Sequence, residues 1–153
     1  MSIPRLYRLA QRSIVTAAGG ATWEIIAPAT GNRIRILELK LTQVTAVAGT
    51  YGIGRPAAKG VTPTTPIAYL SDKAGLADAG STAAVAWGTP PTVPVAFIDR
   101  VTCPATIGAG FDLKFGDFGQ EKGVELIAGT SLVIWVIATA PVCDVSALVE
   151  EYV

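Results

Sequence analysis

The chain of 153 residues contains no histidine. Without an imidazole, Ser-His-Asp and Cys-His catalysis are excluded, together with the commonest zinc and iron sites. Cysteine is scarce too. Cys103 and Cys143 stand far apart, lack C-x-x-C spacing, and cannot alone build a structural zinc site. Buried free thiols of a reducing cytosol are expected, and a bridge stays open only if folding sets the two side by side. Charge is sparse, at 16% of residues where about 25% is usual for soluble domains. The 12 basic residues balance the 12 acidic ones, so no net field draws the chain to nucleic acid or to an anionic membrane. Long hydrophobic runs are missing. The longest, LVIWVIA at 132–138, falls far short of the roughly 20 residues that cross a bilayer. Arg5, Arg8 and Arg12 interrupt the opening MSIPRLYRLAQRSIV, so no leader peptide and no export by the general route are expected.

What the chain does have is apolar surface. Half of its residues are hydrophobic, and the mean hydropathy is +0.47 without a membrane segment to account for it. An Ala- and Val-rich composition raises such a value, but the economical reading is apolar surface covered by other subunits.

The strongest pattern is period two. RIRILELKLT (33–42) puts Ile34 and Ile36 on one face, after which Leu37, Leu39 and Leu41 alternate with Glu38, Lys40 and Thr42. The phase slips between Ile36 and Leu37, where a β-bulge is expected. FDLKF (111–115) reads as a half-buried strand with Asp112 and Lys114 in water. SLVIWVIAT (131–139) is apolar on both faces, as in a central strand covered on both sides. In 142–153, Cys143, Val145, Ala147 and Val149 share a face. Further strands are expected over 6–16, 22–27, 84–87, 95–103 and 123–127, divided by Gly and Pro turns. No long amphipathic helix is present; DKAGLADA (72–79) allows one turn at most, weakened by Gly75. The expected fold is a single all-β domain, 1–153, an antiparallel β-sandwich or jelly roll, with an N-terminal arm at 1–5 and an extended Pro- and Gly-rich surface loop region at 55–94. Loops of that length usually bind something or lie on a neighbour.

YGIGRPAAKG places Gly52, Gly54 and Ala57 at dinucleotide spacing. That fingerprint requires a helix whose N-terminal amides face a pyrophosphate. Gly60, Pro63 and Pro66 prevent one here, and Lys59 precedes Gly60 instead of following it as a P-loop demands. The glycines are therefore read as a strand end where another backbone or side chain comes close. Asp112, Asp117, Glu121 and Glu125 could supply a carboxylate pair, but they fit a wet strand face and a turn. Arg5, Arg8 and Arg12 near Tyr7 form at most a small basic patch, better read as an arm whose arginines meet carboxylates of a neighbour. Trp23, Trp87 and Trp135 are expected as core or interface anchors.

Three stretches carry a resemblance: RIRILELKLTQVTAVAGTYGIGRPAAKGVTPTTP, TAAVAWGTPPTVPVAFIDRVTCPATIGAG and GTSLVIWVIATAPVCDVSALVEE. With the G-x-G-R-P turn at 52–56, the P-A-T-I-G-A-G turn at 104–110 and the last apolar strand, the chain resembles small β-sandwich virion proteins of tailed bacteriophages, over about residues 31–150. The resemblance implies a capsid decoration (cement) protein, commonly a homotrimer, that clamps neighbouring major capsid subunits at the virion surface. It brings no catalytic residues and no cofactor. The expectation is thus a non-enzymatic protein whose partners are the phage major capsid protein and itself. Arg5, Tyr7, Arg8, Arg55 and Lys59 are the expected contact residues. The other reading is an appendage that binds a host-surface glycan through Trp87 and Tyr69.

Overall fold

A computed structural model describes residues 3–14, 20–115, 123–139 and 141–152. They form strands and no helix. One sheet runs in the order β11 (Gly110–Lys114), β3 (Arg33–Gln43), β14 (Val142–Tyr152), β1 (Pro4–Ile14), β7 (Leu70–Ser71), and β12 (Val124–Leu126) also pairs with β3. The other runs β10 (Asp99–Cys103), β4 (Gly49–Gly54), β13 (Ser131–Ala138), β2 (Ala21–Ile26), β8 (Thr82–Ala84), β6 (Ile67–Ala68). A separate ribbon pairs β5 (Val61–Pro63) with β9 (Trp87–Thr89). The sheets are antiparallel and pack face to face as the expected β-sandwich.

Alternation sets the core. On β14, Cys143, Val145, Ala147 and Val149 are buried, while Asp144 points to water. Each such aliphatic side chain contributes roughly 1.5–3 kcal/mol by leaving water. On β3, Ile34 and Ile36 face inward, and then Leu39, Leu41 and Gln43 do. The phase changes because Leu148 pairs with Glu38 and Val149 with Ile36, which leaves Leu37 as the extra residue of a bulge. The slip falls where the sequence predicts it. Leu37 itself is only half-buried, and its carbonyl accepts the Phe115 N–H at 2.9 Å. Phe111 and Leu113 lean into the core, Phe111 meeting Tyr51 edge-on at 5.9 Å between ring centres.

β13 is central and buried on both faces, as expected from its sequence. Its second cover comes from the same chain. Parts of the segment 55–98 cover its outer face, Gly60 and Trp87 at Glu24 of β2 and Pro94 and Phe97 on β4, while β8 and β6 extend the sheet beyond β2 and β7 joins the other sheet. Gly52 and Gly54 on β4 make room for it: a Cβ at Gly52 would lie 2.6 Å from the Phe97 ring, and one at Gly54 would lie 3.2 Å from Pro94 Cγ.

Four expectations need correction. β1 begins at Pro4, so Pro4 and Arg5 belong to a strand and not to an arm; residues 1–2 lie outside the described residues. The 55–94 region is not only loop, because it holds β5 to β9, whose backbone groups pair with each other, with β1 and with β2. The strand expected over 95–103 covers only its second half; the Ile98 N–H still donates to the Ile53 carbonyl at 2.7 Å, and before it residues 95–97 leave the ladder, with Phe97 docked on Gly52. The strand expected over 84–87 is the end of β8 and the start of β9, which lie in different sheets.

Candidate interaction surface

The five residues singled out by the sequence fall into different environments. Arg5 is exposed at the start of β1. Tyr7 is two residues further on, on the inward face, and only 2% exposed. It is a core side chain and offers nothing to a partner, because from Tyr7 onward the alternate positions Tyr7, Leu9 and Ser13 of β1 are buried in the sandwich. Arg8 points out from the first sheet, and its Nε lies 3.2 Å from Asp72 Oδ1. Arg12 grips Asp144 with two donors, at 2.9 and 3.2 Å. That ion pair raises the arginine and holds the Asp144 carboxyl below its usual range. Two of the three arginines expected to meet a neighbour's carboxylates, Arg8 and Arg12, thus meet carboxylates of their own chain.

Arg55 is exposed but tethered: its Nη2 donates to the Glu125 carbonyl at 3.2 Å, linking the end of β4 in one sheet to β12 in the other. Lys59 is exposed and forms no ion pair among the described residues. Its neighbour Gly60 donates its N–H to Glu24 Oε1 at 3.1 Å. The glycine loop therefore does address an anion, but the anion is a carboxylate of the same chain.

Glu24 was not singled out from the sequence. It sits on the outer face of β2, fully buried. Besides Gly60, it accepts from Ser131 Oγ at 2.6 Å and from Trp87 Nε1 at 2.6 Å. A second buried carboxylate, Glu151, closes one end of the sandwich. It accepts from Asn32 Nδ2, the amides of Gly80 and Ser81, and the Ser81 hydroxyl, at 3.0–3.2 Å. Buried charge persists only where hydrogen bonds satisfy it, and here loop donors do so. The one sequence signal was a lone acid inside an apolar strand, TWEII at 22–26.

The aromatic residues of the glycan reading are not free platforms. Tyr69 is fully buried and packs against Trp23, with ring centres 6.4 Å apart. Trp87 is half-buried, with its indole N–H committed to Glu24. Of the four acids weighed for catalysis, Asp112 is exposed on β11, and Glu125 meets Arg33 at 3.2 Å and Arg35 at 3.8 Å. Asp117 and Glu121 lie outside the described residues. Among the described residues, no three His, Cys, Asp or Glu side chains are grouped to hold a metal ion.

Cys103 and Cys143 are both buried free thiols. Burial pushes both upward in pKa. Cys143 Sγ lies 3.1 Å from the Tyr51 hydroxyl, which accepts from Gln43 Nε2 at 2.9 Å.

Exposed apolar side chains are scattered over the surface, at Val47, Val61, Ile67, Leu70, Ile107 and Ile127 among others, and two sets lie close together in sequence or along one groove. Ile3, Leu6 and Leu76 line a groove of about 470 Å³ between the start of β1 and the turn that follows β7, with Arg5, Asp72 and Lys73 around it. Val93, Val95 and Ile98 stand out along the arch before β10. No protein family, curated protein or solved structure matches the chain.

Proposed function

We propose that this chain is a non-enzymatic structural protein of a tailed-bacteriophage virion, a capsid decoration (cement) protein that reinforces the head shell. The observation that carries this reading is apolar surface left over after a complete core: Ile3, Leu6 and Leu76 on one side, Val93, Val95 and Ile98 on another. Contiguous exposed apolar groups mark association surfaces.

The strand order supports a jelly roll. β1, β14, β3 and β11 lie side by side in one sheet, and β2, β13, β4 and β10 in the other. Two Greek keys produce such an order, which is common in shell-forming proteins. The likeness to phage virion proteins noted above supplies the partner, the major capsid protein, and the homotrimeric state. Each subunit adds modest contacts across capsomer boundaries. A trimer makes them strong, because the second and third contacts form at high effective concentration. Assembly then takes place in the host cytoplasm, on the outside of the shell. Arg5, Arg55 and Lys59 are exposed and are the cations expected to make such contacts.

The test is co-sedimentation of purified protein with tailed-phage capsids stripped of decoration, after light scattering has given its mass in solution. A trimer that pellets with capsids supports the reading. A protein that stays in the supernatant at every ratio overturns it.

A further inference from the structure

We propose that two copies of this chain pair through the open edge of β1, antiparallel about a two-fold axis, so that their first sheets run on as one. The contact needs nothing from the virion reading. It follows from backbone groups of β1 that no described residue occupies.

β1 has neighbours of unequal length. β14 pairs with it from Pro4 to Ile14, without a bulge. β7 covers the other edge only at Tyr7 and Arg8, and the Asp72 amide adds a bond to the Leu6 carbonyl. In an antiparallel ladder, successive residues turn their N–H and C=O to opposite sides. Leu6 and Arg8 turn theirs to β7. Ala10, Arg12 and Ile14 therefore turn theirs to the same side, where β7 has ended. Among the described residues, nothing hydrogen-bonds to those groups. The Ala10 and Arg12 side chains are exposed as well.

A row of unpaired backbone groups is a template for another strand, and proteins blunt such edges with short strands, charge, proline or bulges. The other sheet edges are blunted in this way. β6 and β7 are two residues long and β12 is three. β10 carries Asp99 and Arg100, and β11 carries Asp112 and Lys114. By contrast, LAQRSI at 9–14 has no proline and no lysine. Its single charge, Arg12, is drawn off the edge onto Asp144 of β14, at 2.9 and 3.2 Å.

The occupant that fits this edge is a second β1. The edge is stepped: β7 extends it beside Leu6 to Arg8, and it is recessed from Leu9 to Ile14. Any strand entering the recess must stop at β7. A second copy turned by 180° presents the same recess running the opposite way, with its own β7 at the far end. The closest register that keeps each β7 clear of the other β1 sets Arg12 opposite Arg12 and Ala10 opposite Ile14. Such pairing adds about six backbone hydrogen bonds, and it is isologous, the commonest symmetry of soluble oligomers. Like charges directly opposite one another destabilise a sheet. Here Asp144 neutralises Arg12 within each copy before the two meet.

The experiment is light scattering over a concentration series on the wild type, Ala10→Pro, Ala10→Lys and Asp144→Asn, with thermal melting to check that each folds. Proline at 10 removes an N–H that no described residue accepts, and lysine at 10 puts a charge on the edge. The wild type is expected at an even number of subunit masses, two if this contact acts alone and six if trimers also form. Either Ala10 variant halves that mass. Asp144→Asn leaves two arginines opposed, so its pairs dissociate at about five-fold higher concentration, and added salt narrows the difference. Amide exchange at Ala10 and Arg12 is slow in the wild type and fast in Ala10→Lys. A monomeric or trimeric wild type overturns the inference, as does an Ala10→Lys variant that keeps the wild-type mass or fast exchange at both amides in the wild type. Capsid co-sedimentation run alongside separates the two readings. A dimer that ignores capsids sinks the virion reading alone, and a capsid-binding trimer sinks the edge contact alone.

Discussion

The amide of Gly60 donates to Glu24 at 3.1 Å, across 36 residues of sequence. This bond joins a surface loop to the outer face of a central sheet. Trp87, donating to the other oxygen of the same carboxylate at 2.6 Å, fastens the far end of that loop region. One buried acid therefore fixes the cover over β13, and with it the base from which the arch at 93–98 projects.

Replacing Glu24 by Ala strands three donors: the Gly60 amide, the Trp87 indole and the Ser131 hydroxyl. Each buried donor left unpaired costs about 1–3 kcal/mol. The variant is expected to lose at least about 3 kcal/mol in urea unfolding. Glu24→Gln loses less, because its amide oxygen still accepts on one side. Equal stability of wild type and Glu24→Ala would refute the clamp.

Gly52→Ala sets a methyl group 2.6 Å from the Phe97 ring. Phe97 must move, and with it the arch. Overpacking of this kind costs about 1–3 kcal/mol. Amide exchange at 94–98 is expected to speed up more than exchange in β14. A uniform change across the chain would contradict local undocking.

Tyr51 and Tyr69 are both raised above their ordinary value of 10.0, chiefly by burial. An acid raised in the folded state keeps its proton after the unfolded chain has lost one. Stability is then complete below pH 10.0 and falls as pH rises beyond it. The Tyr69 hydroxyl is also buried without a hydrogen-bond partner among the described residues. Tyr69→Phe is expected to raise stability by about 1 kcal/mol and to flatten the alkaline fall. Urea midpoints measured from neutral to strongly alkaline pH check both, and a destabilised Tyr69→Phe would count against them.

Cys103 and Cys143 are buried, and burial disfavours both thiolates. Thiolates react and thiols do not. A disulfide reagent at mildly alkaline pH is expected to label neither cysteine in the native protein and both in denaturant. Rapid labelling of either one without unfolding would place it nearer the surface than the fold allows.

Most of the long strands were legible because each has one wet and one dry face. Their period survives in β14 and β11, and even the bulge at Leu37 shows as a slip of phase. β4 was not legible as a strand of its own. GTYGIG has little side chain to alternate, and its glycines make sense only once Phe97 and Pro94 lie on them. Tyr7 and Tyr69 were misplaced because an aromatic residue beside arginines or within a loop looks exposed until register is known.

The sequence by itself determined the β-sandwich, since alternation, turns and the absence of helical periodicity are local properties. It likewise ruled out histidine chemistry, since composition needs no coordinates. Only the tertiary structure decided which face each strand end turns inward. It alone brought Glu24 to Gly60, Glu151 to Ser81, and Arg8 and Arg12 to their own carboxylates. Those pairings join residues distant in sequence, and their positions depend on how the two sheets stack. No local pattern records that stacking.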